Sequence, residues 1–127
     1  MGAIFLTLDE VLQIHRDQIT RYGGALGVRD LGLLQSALAQ PRATYGGLSL
    51  HADMWEMAAA YLFHLVQNHP FFDGNKRVGA VASIVFLRMN GLDIRMSSAK
   101  LESLVRAVAR GQADKAAVAG FFREHAA

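Results

Sequence analysis

Between Arg77 and about Asn90 the chain carries apolar or small side chains on nearly every face of a helix, and Val78 to Leu87 is its longest apolar run. A helix with one apolar stripe can lie on a surface, but one that is apolar nearly all round must be enclosed. The run includes Gly and Ser, ends at Arg88 and is shorter than the roughly 20 residues that a bilayer span needs. The rest of the chain therefore has to build a protein shell around a central helix.

Helical signals supply that shell. Thr7 and Glu10 fit a capping box, after which Leu8, Val11, Leu12, His15, Ile19 and Tyr22 recur at helical spacing until Gly23–Gly24. Asp30 opens a second helix that runs to about Gln40 and stops at Pro41. The stretch TYGGLSL, Thr44 to Leu50, has turn and short-strand character. Asp53 and Glu56 form another capping pair; Met54, Met57, Ala58, Tyr61, Leu62, Leu65 and Val66 then mark one helical face, and Trp55 and Phe63 extend it. That helix ends near His69, and the enclosed helix begins near Arg77. Two more are expected, from Ser97/Ser98 to Arg110 and from Asp114 to about His125, with the DIRM segment before them extended. The expectation is an all-α chain, a compact bundle of about six helices forming one domain over residues 1–127.

A chain of 127 residues, 52% hydrophobic, can bury a core, and 19% charged residues are too few for a disordered chain. No Cys is present, which excludes disulfides and thiolate metal sites. The net charge is +2 and the basic residues are dispersed, with only Lys76 and Arg77 adjacent, so no direct nucleic-acid contact is expected. The start, MGAIFLTLDE, lacks the basic region of a secretory signal. With no membrane span either, a cytoplasmic protein is expected.

The loop NHPFFDGNKR, Asn68 to Arg77, joins two apolar helices and concentrates polar chemistry. The N–H groups that begin the second helix have no intrahelical acceptors, and the helix dipole makes that end positive. Gly74 lets backbone approach a ligand; Lys76 adds a point charge and Arg77 a flat fork. This pattern suits phosphate. Asp73 has the wrong sign for a plain anion site but fits if it holds Mg²⁺, which prefers a carboxylate with phosphate oxygens. Asn75 can donate to phosphate or to the loop backbone, and His69 is a candidate general base. The bland alternative is a structural loop, since DGN alone is ordinary turn chemistry. At least one of Phe71 and Phe72 is expected to anchor the loop in the core, and neither is assigned a chemical role.

HPFFDGNKR resembles the signature of the Fic/Doc (Fido) superfamily, whose Fic branch reads HPFx[DE]GNGRxxR. His69, Pro70, Phe71, Asp73, Gly74, Asn75 and Arg77 match it. Lys76 stands where Fic has Gly, and Ala80 where Fic has its second Arg. The NKR ending is similar to the death-on-curing (Doc) branch, as are IHRDQITRYGG…GVRDLGLLQSALAQP (Ile14 to Pro41) and FLRMNG. The resemblance implies a six-helix fold and use of ATP with Mg²⁺. It implies a toxin of a type II toxin–antitoxin system: a protein kinase that moves the ATP γ-phosphate to a Thr of elongation factor Tu, blocks translation, and is silenced by a Phd-type antitoxin. In that frame His69 is the base, Asp73 the Mg²⁺ or phosphate-positioning acid, and Gly74, Asn75, Lys76 and Arg77 hold nucleotide phosphates. Fic-like AMP transfer to a protein hydroxyl is the alternative reaction. A non-catalytic partner-binding helical module is the alternative from another class.

Other features read more plainly. His15, on an apolar stripe, and His64, inside an apolar helix, are expected to be satisfied core or edge residues. A His64/His69/Asp73 metal set lacks any familiar ligand spacing. YGGLSL sits where Fic proteins place a substrate-aligning flap. Asp17/Arg21 and Glu102/Arg106 are expected as surface pairs. The helix with Trp55, Leu62 and Phe63 is apolar beyond a single stripe, so an exposed groove there would suit an amphipathic partner helix; the alternative is that these residues complete the core or a homodimer contact.

Overall fold

The computed structural model describes residues 2–127. Among them run six α-helices: α1 (Leu8–Tyr22), α2 (Leu31–Ala39), α3 (Met54–Asn68), α4 (Asn75–Met89), α5 (Ser98–Ala109) and α6 (Lys115–Glu124). A 3-10 turn, Gln40–Arg42, extends α2 through Pro41. A short hairpin follows, in which β1 (Thr44–Tyr45) and β2 (Leu48–Ser49) pair antiparallel with Tyr45 opposite Leu48. The expected all-α bundle is what forms, and no helix of the described residues is long and apolar enough to cross a membrane.

Five of the six helices start on a side-chain cap. Thr7 accepts the Glu10 N–H while Glu10 accepts the Thr7 N–H, closing the capping box. Asp30, Asp53, Ser97 and Asp114 accept from Leu33, Glu56, Lys100 and Ala117. Only α4 has no such cap. It also starts two residues earlier than expected, at Asn75, because left-handed Gly74 turns the chain directly into the helix.

Helix α3 is the hub, packing on α4, α6, α2 and α5, while α4 packs on α3, α1 and α5. Leu62 is fully buried, and Trp55 and Phe63 are half-buried against the core. The face that would suit a partner helix is thus consumed by packing. The uncovered apolar strip lies on α4 instead. There Val81 and Val85, with Leu6 and Ile14 from the α1 side, floor a groove of about 400 Å³ rimmed by Glu10, Gln13 and Asp17.

Both ends of the described chain are tied down. Ile4 exchanges hydrogen bonds with the Asn90 side chain, and the buried Tyr61 hydroxyl accepts the Leu6 N–H. The extended segment after α4 pairs with the C-terminus through Ile94 and Ala126, with Arg95 N–H donating to the His125 carbonyl at 2.7 Å.

The α3–α4 contact is closest at Gly79, where an added Cβ would sit 2.9 Å from Val66 Cγ2 and 3.1 Å from the Leu62 carbonyl oxygen. Gly79→Ala should therefore destabilise the fold by about 1–3 kcal/mol. Gly120→Ala, where a Cβ meets nothing within 4 Å, should be neutral or stabilise by up to about 1 kcal/mol. Urea unfolding of the two variants checks the contrast.

Candidate active site

Residue His69 ends α3 in the left-handed conformation, φ 50° and ψ 53°, and is the only non-glycine with positive φ among the described residues. That backbone costs roughly 1–2 kcal/mol for a residue with a Cβ, so neighbouring contacts must hold it. Arg29 does so from outside: its Nε donates to the His69 carbonyl at 2.7 Å and its Nη2 to the Asn68 carbonyl at 3.1 Å. A guanidinium there also complements the negative end of the α3 dipole. The backbone of the same segment reinforces it. The Arg29 and Asp30 N–H groups both donate to the Pro70 carbonyl, and Phe72 N–H donates to the Gly27 carbonyl.

Asn75 holds the loop from inside. Its side chain, 4% exposed, accepts the Phe71 N–H at 2.9 Å and donates Nδ2 to the Phe71 carbonyl at 3.0 Å. These two bonds fix which amide atom is which, because a flipped amide would face donor with donor. The second Nδ2 hydrogen points at His69 Nδ1, 3.0 Å away. Nδ1 must therefore accept, and the neutral ring rests with its proton on Nε2. Of the two roles open to Asn75 in the sequence, the structure engages the side chain with the loop backbone. A phosphate would meet Asn75 through its backbone N–H.

Asp73 Oδ2 accepts the Ala25 N–H at 3.0 Å, and its backbone carbonyl accepts from His15 Nε2 at 2.9 Å. Gly74 then caps α4 with φ 79° and no side chain, so the first N–H groups of α4 open without a cap onto a cleft of about 590 Å³. His69, Asp73, Gly74, Asn75, Lys76 and Arg77 line this cleft together with Val66, Gln67 and Ala109. All six sequence-predicted residues are thus brought together on one cavity.

The two basic neighbours differ. Lys76 is exposed and forms no salt bridge among the described residues. Arg77 turns back onto the end of α1, where Nη2 donates to the Gly23 carbonyl at 3.1 Å and Nη1 to the Gln18 carbonyl at 3.4 Å. Its guanidinium also lies 5.6 Å from the Tyr22 ring centroid. No group of three or more His, Cys, Asp and Glu able to hold a metal occurs among the described residues.

The Fic/DOC family profile matches residues 5–87, which include this loop and the segment that braces it. The chain belongs to the Fic/DOC family. Two relatives place it with the Doc branch. "Toxin Doc" of Mycolicibacterium smegmatis is 45% identical over 73 residues, 58% of this chain and 56% of that protein. "Protein kinase doc" of Escherichia phage P1 is 32% identical over 117 residues, 91% of this chain and 90% of that protein. The chain thus aligns with just over half the length of the mycobacterial relative and with nearly all of the phage one.

Sequence reasoning missed Arg29 and the partner of His15. Both act on backbone carbonyls, which carry no side-chain signature, though a His on an apolar stripe was a visible signal. Phe71 is the buried anchor, stacked on the His15 ring at 3.9 Å, whereas Phe72 is 57% exposed. The YGGLSL hairpin does not line the cleft, and its Tyr45, Leu48 and Leu50 are exposed. Asp17–Arg21 and Glu102–Arg106 are surface pairs, as expected.

His64 also lies outside the cleft lining and accepts from Lys115 Nζ at 3.1 Å. Burial, then the Lys115 charge and His51, push its imidazole down to about 4. The unfolded chain therefore binds this proton more readily than the folded one, and stability should fall as pH drops from about 6.5 toward about 4. His64→Gln should flatten that part of the profile of denaturation midpoint against pH.

Proposed function

We propose that the chain is a Doc-type toxin, a protein kinase that binds Mg·ATP in the cleft and moves the γ-phosphoryl group to a Thr hydroxyl of elongation factor Tu. The observation that carries this reading is the α4 N-terminus, the one uncapped helix start of six, opening with Lys76 and Asp73 onto a cleft of about 590 Å³. Free N–H groups, the dipole and an unpaired ammonium suit phosphate oxygens. The phage relative's name adds the reaction class, and the mycobacterial relative's name adds the toxin.

The donor set fits one Mg²⁺. Asp73 supplies a single carboxylate, with Oδ2 held by Ala25, and Mg²⁺ takes one or two carboxylates with waters and substrate phosphates. When bound, the ion would neutralise developing phosphate charge. The chain's own residues do the rest. The α4 N–H groups and Lys76 hold the phosphates in line with the incoming hydroxyl. His69 takes the hydroxyl proton at Nε2 as the new O–P bond forms and the bond from the γ-phosphorus to its bridging oxygen breaks, releasing ADP. Because Asn75 donates to Nδ1 in the free chain, this step requires that contact to open in the substrate complex and the ring to exchange its Nε2 proton for one on Nδ1 through water, which leaves Nε2 free to accept. Catalytic contacts that tighten only in the complex are common.

Lys76 also favours the kinase reading over AMP transfer. It adds bulk and charge on the cleft wall where Fic enzymes have Gly, and buried Ala80 offers no second guanidinium. A nucleotide seated differently from the Fic manner then presents its γ-phosphate. Such a toxin needs a silencing partner, and a Phd-type antitoxin is the proposed one. The α1–α4 groove, with apolar floor and acidic rim, suits an amphipathic helix carrying basic residues.

Incubation with elongation factor Tu and ATP labelled at the α or the γ position tests the reaction. Label from γ is expected; label from α would establish AMP transfer, and none would leave a non-catalytic module or another substrate. His69→Ala should lower the rate by about 10²–10⁴ with the fold intact, and near-normal turnover would remove His69 as base. Val81→Glu in the groove should abolish co-purification with a co-expressed neighbouring antitoxin without changing turnover.

A further inference from the structure

Helix α1 contributes nothing to the cleft lining, yet it buries a histidine directly under the motif loop. The His15 side chain is 3% exposed, its ring lies parallel to Phe71 within 7°, and its Nε2 is 2.9 Å from the Asp73 carbonyl oxygen. A carbonyl can only accept, so Nε2 carries the proton. Phe or Leu would fill the same apolar space between Val11 and Ile19. What imidazole adds is a donor beneath Asp73.

That donor selects the orientation of one peptide plane. The described chain has no cis peptide bond, and in a trans peptide the N–H points opposite to the C=O. With the Asp73 carbonyl drawn down to α1, the Gly74 N–H is aimed away from α1, toward the side of the loop that opens on the cleft. Gly74, at φ 79°, has no Cβ to resist rotation of this plane. A flipped plane would put a carbonyl oxygen among the phosphate-binding N–H groups, where it repels phosphate. The geometry points to His15 as a positioning residue of the anion cradle: it holds the Asp73–Gly74 peptide so that the Gly74 N–H joins the N–H groups of α4. The inference rests on the reading of the cleft as a phosphate site.

Two substitutions separate this role from packing. His15→Phe keeps a ring for Phe71 and loses the donor; His15→Gln keeps a donor and loses the ring. The test is a titration of the ¹⁵N-labelled full chain with inorganic pyrophosphate, following the Gly74 amide. In the wild type that amide should be among the most displaced. His15→Phe, checked for a dispersed spectrum, should bind pyrophosphate about tenfold more weakly or worse, the scale of one charge-assisted hydrogen bond. Its Gly74 signal should stop responding, and His15→Gln should recover both. Wild-type affinity with a responding Gly74 in His15→Phe overturns the inference and leaves the phosphate site standing. A wild type that takes no pyrophosphate overturns both. If His15→Phe does not fold, His15→Gln decides alone, and loss of the Gly74 response there overturns the inference.

Discussion

The carboxamide of Asn75 accepts from the Phe71 N–H and donates to the Phe71 carbonyl and to His69 Nδ1, almost fully buried. Three contacts on one side chain close the loop into a ring whose ends are the C-terminus of α3 and the N-terminus of α4. Breaking one would leave a buried donor or acceptor without a partner, which costs about 1–3 kcal/mol. The left-handed backbone of His69 and the turn at Gly74 depend on that ring. A shorter polar side chain could not reach both sides of Phe71, and an apolar one would leave the Phe71 backbone unpaired.

The ring is only half of the frame. Residues 25–30 supply the other half from about 45 residues earlier in the chain: the Ala25 N–H on Asp73, the Arg29 and Asp30 N–H groups on Pro70, and the Arg29 guanidinium on the end of α3. This explains how far the sequence could be read. The helices were legible because caps such as Thr7–Glu10 and apolar spacing are local signals. The site's polar residues were legible because His, Asp, Asn, Lys and Arg crowd one loop. The frame was not, because each of its bonds has a backbone N–H or C=O on at least one side, and a backbone group carries no residue signature. His15 was read correctly as buried and satisfied; what burial could not reveal was that its acceptor is the carbonyl of Asp73. Whether the apolar face of α3 docks a partner or completes the core stayed open in the sequence, because pattern alone does not tell a helix packed on four neighbours from one with a face to spare.

The start of α4 shows the same chain trading stability for openness. A side-chain cap contributes about 1 kcal/mol where it forms, and every other helix here has one. Placing Asp or Ser at position 74 would be doubly unfavourable, because the left-handed turn resists a Cβ and the added oxygen would occupy the N–H groups that open on the cleft. The fold offsets the missing cap elsewhere, through the buried Val78, Ala82 and Phe86 face of α4 against α3.

Lys76 and Arg77 illustrate how one helical step divides structure from chemistry. Successive residues on a helix point about 100° apart, so two adjacent basic residues cannot serve the same spot equally. Arg77 faces α1, and its fork caps the carbonyls of Gln18 and Gly23 against the Tyr22 ring. Its charge still borders the cleft, but its donors toward α1 are engaged. Lys76, one step round, keeps its ammonium free on the cleft wall. The residue that departs from the Fic pattern is therefore the exposed cation of the site with no partner among the described residues, and the one that matches it braces the site against α1. On the proposed kinase reading, a nucleotide in this cleft would meet a flexible point charge where a Fic enzyme offers bare backbone, and that difference in reach is the physical argument for the terminal phosphate, and not the one next to the ribose, at His69.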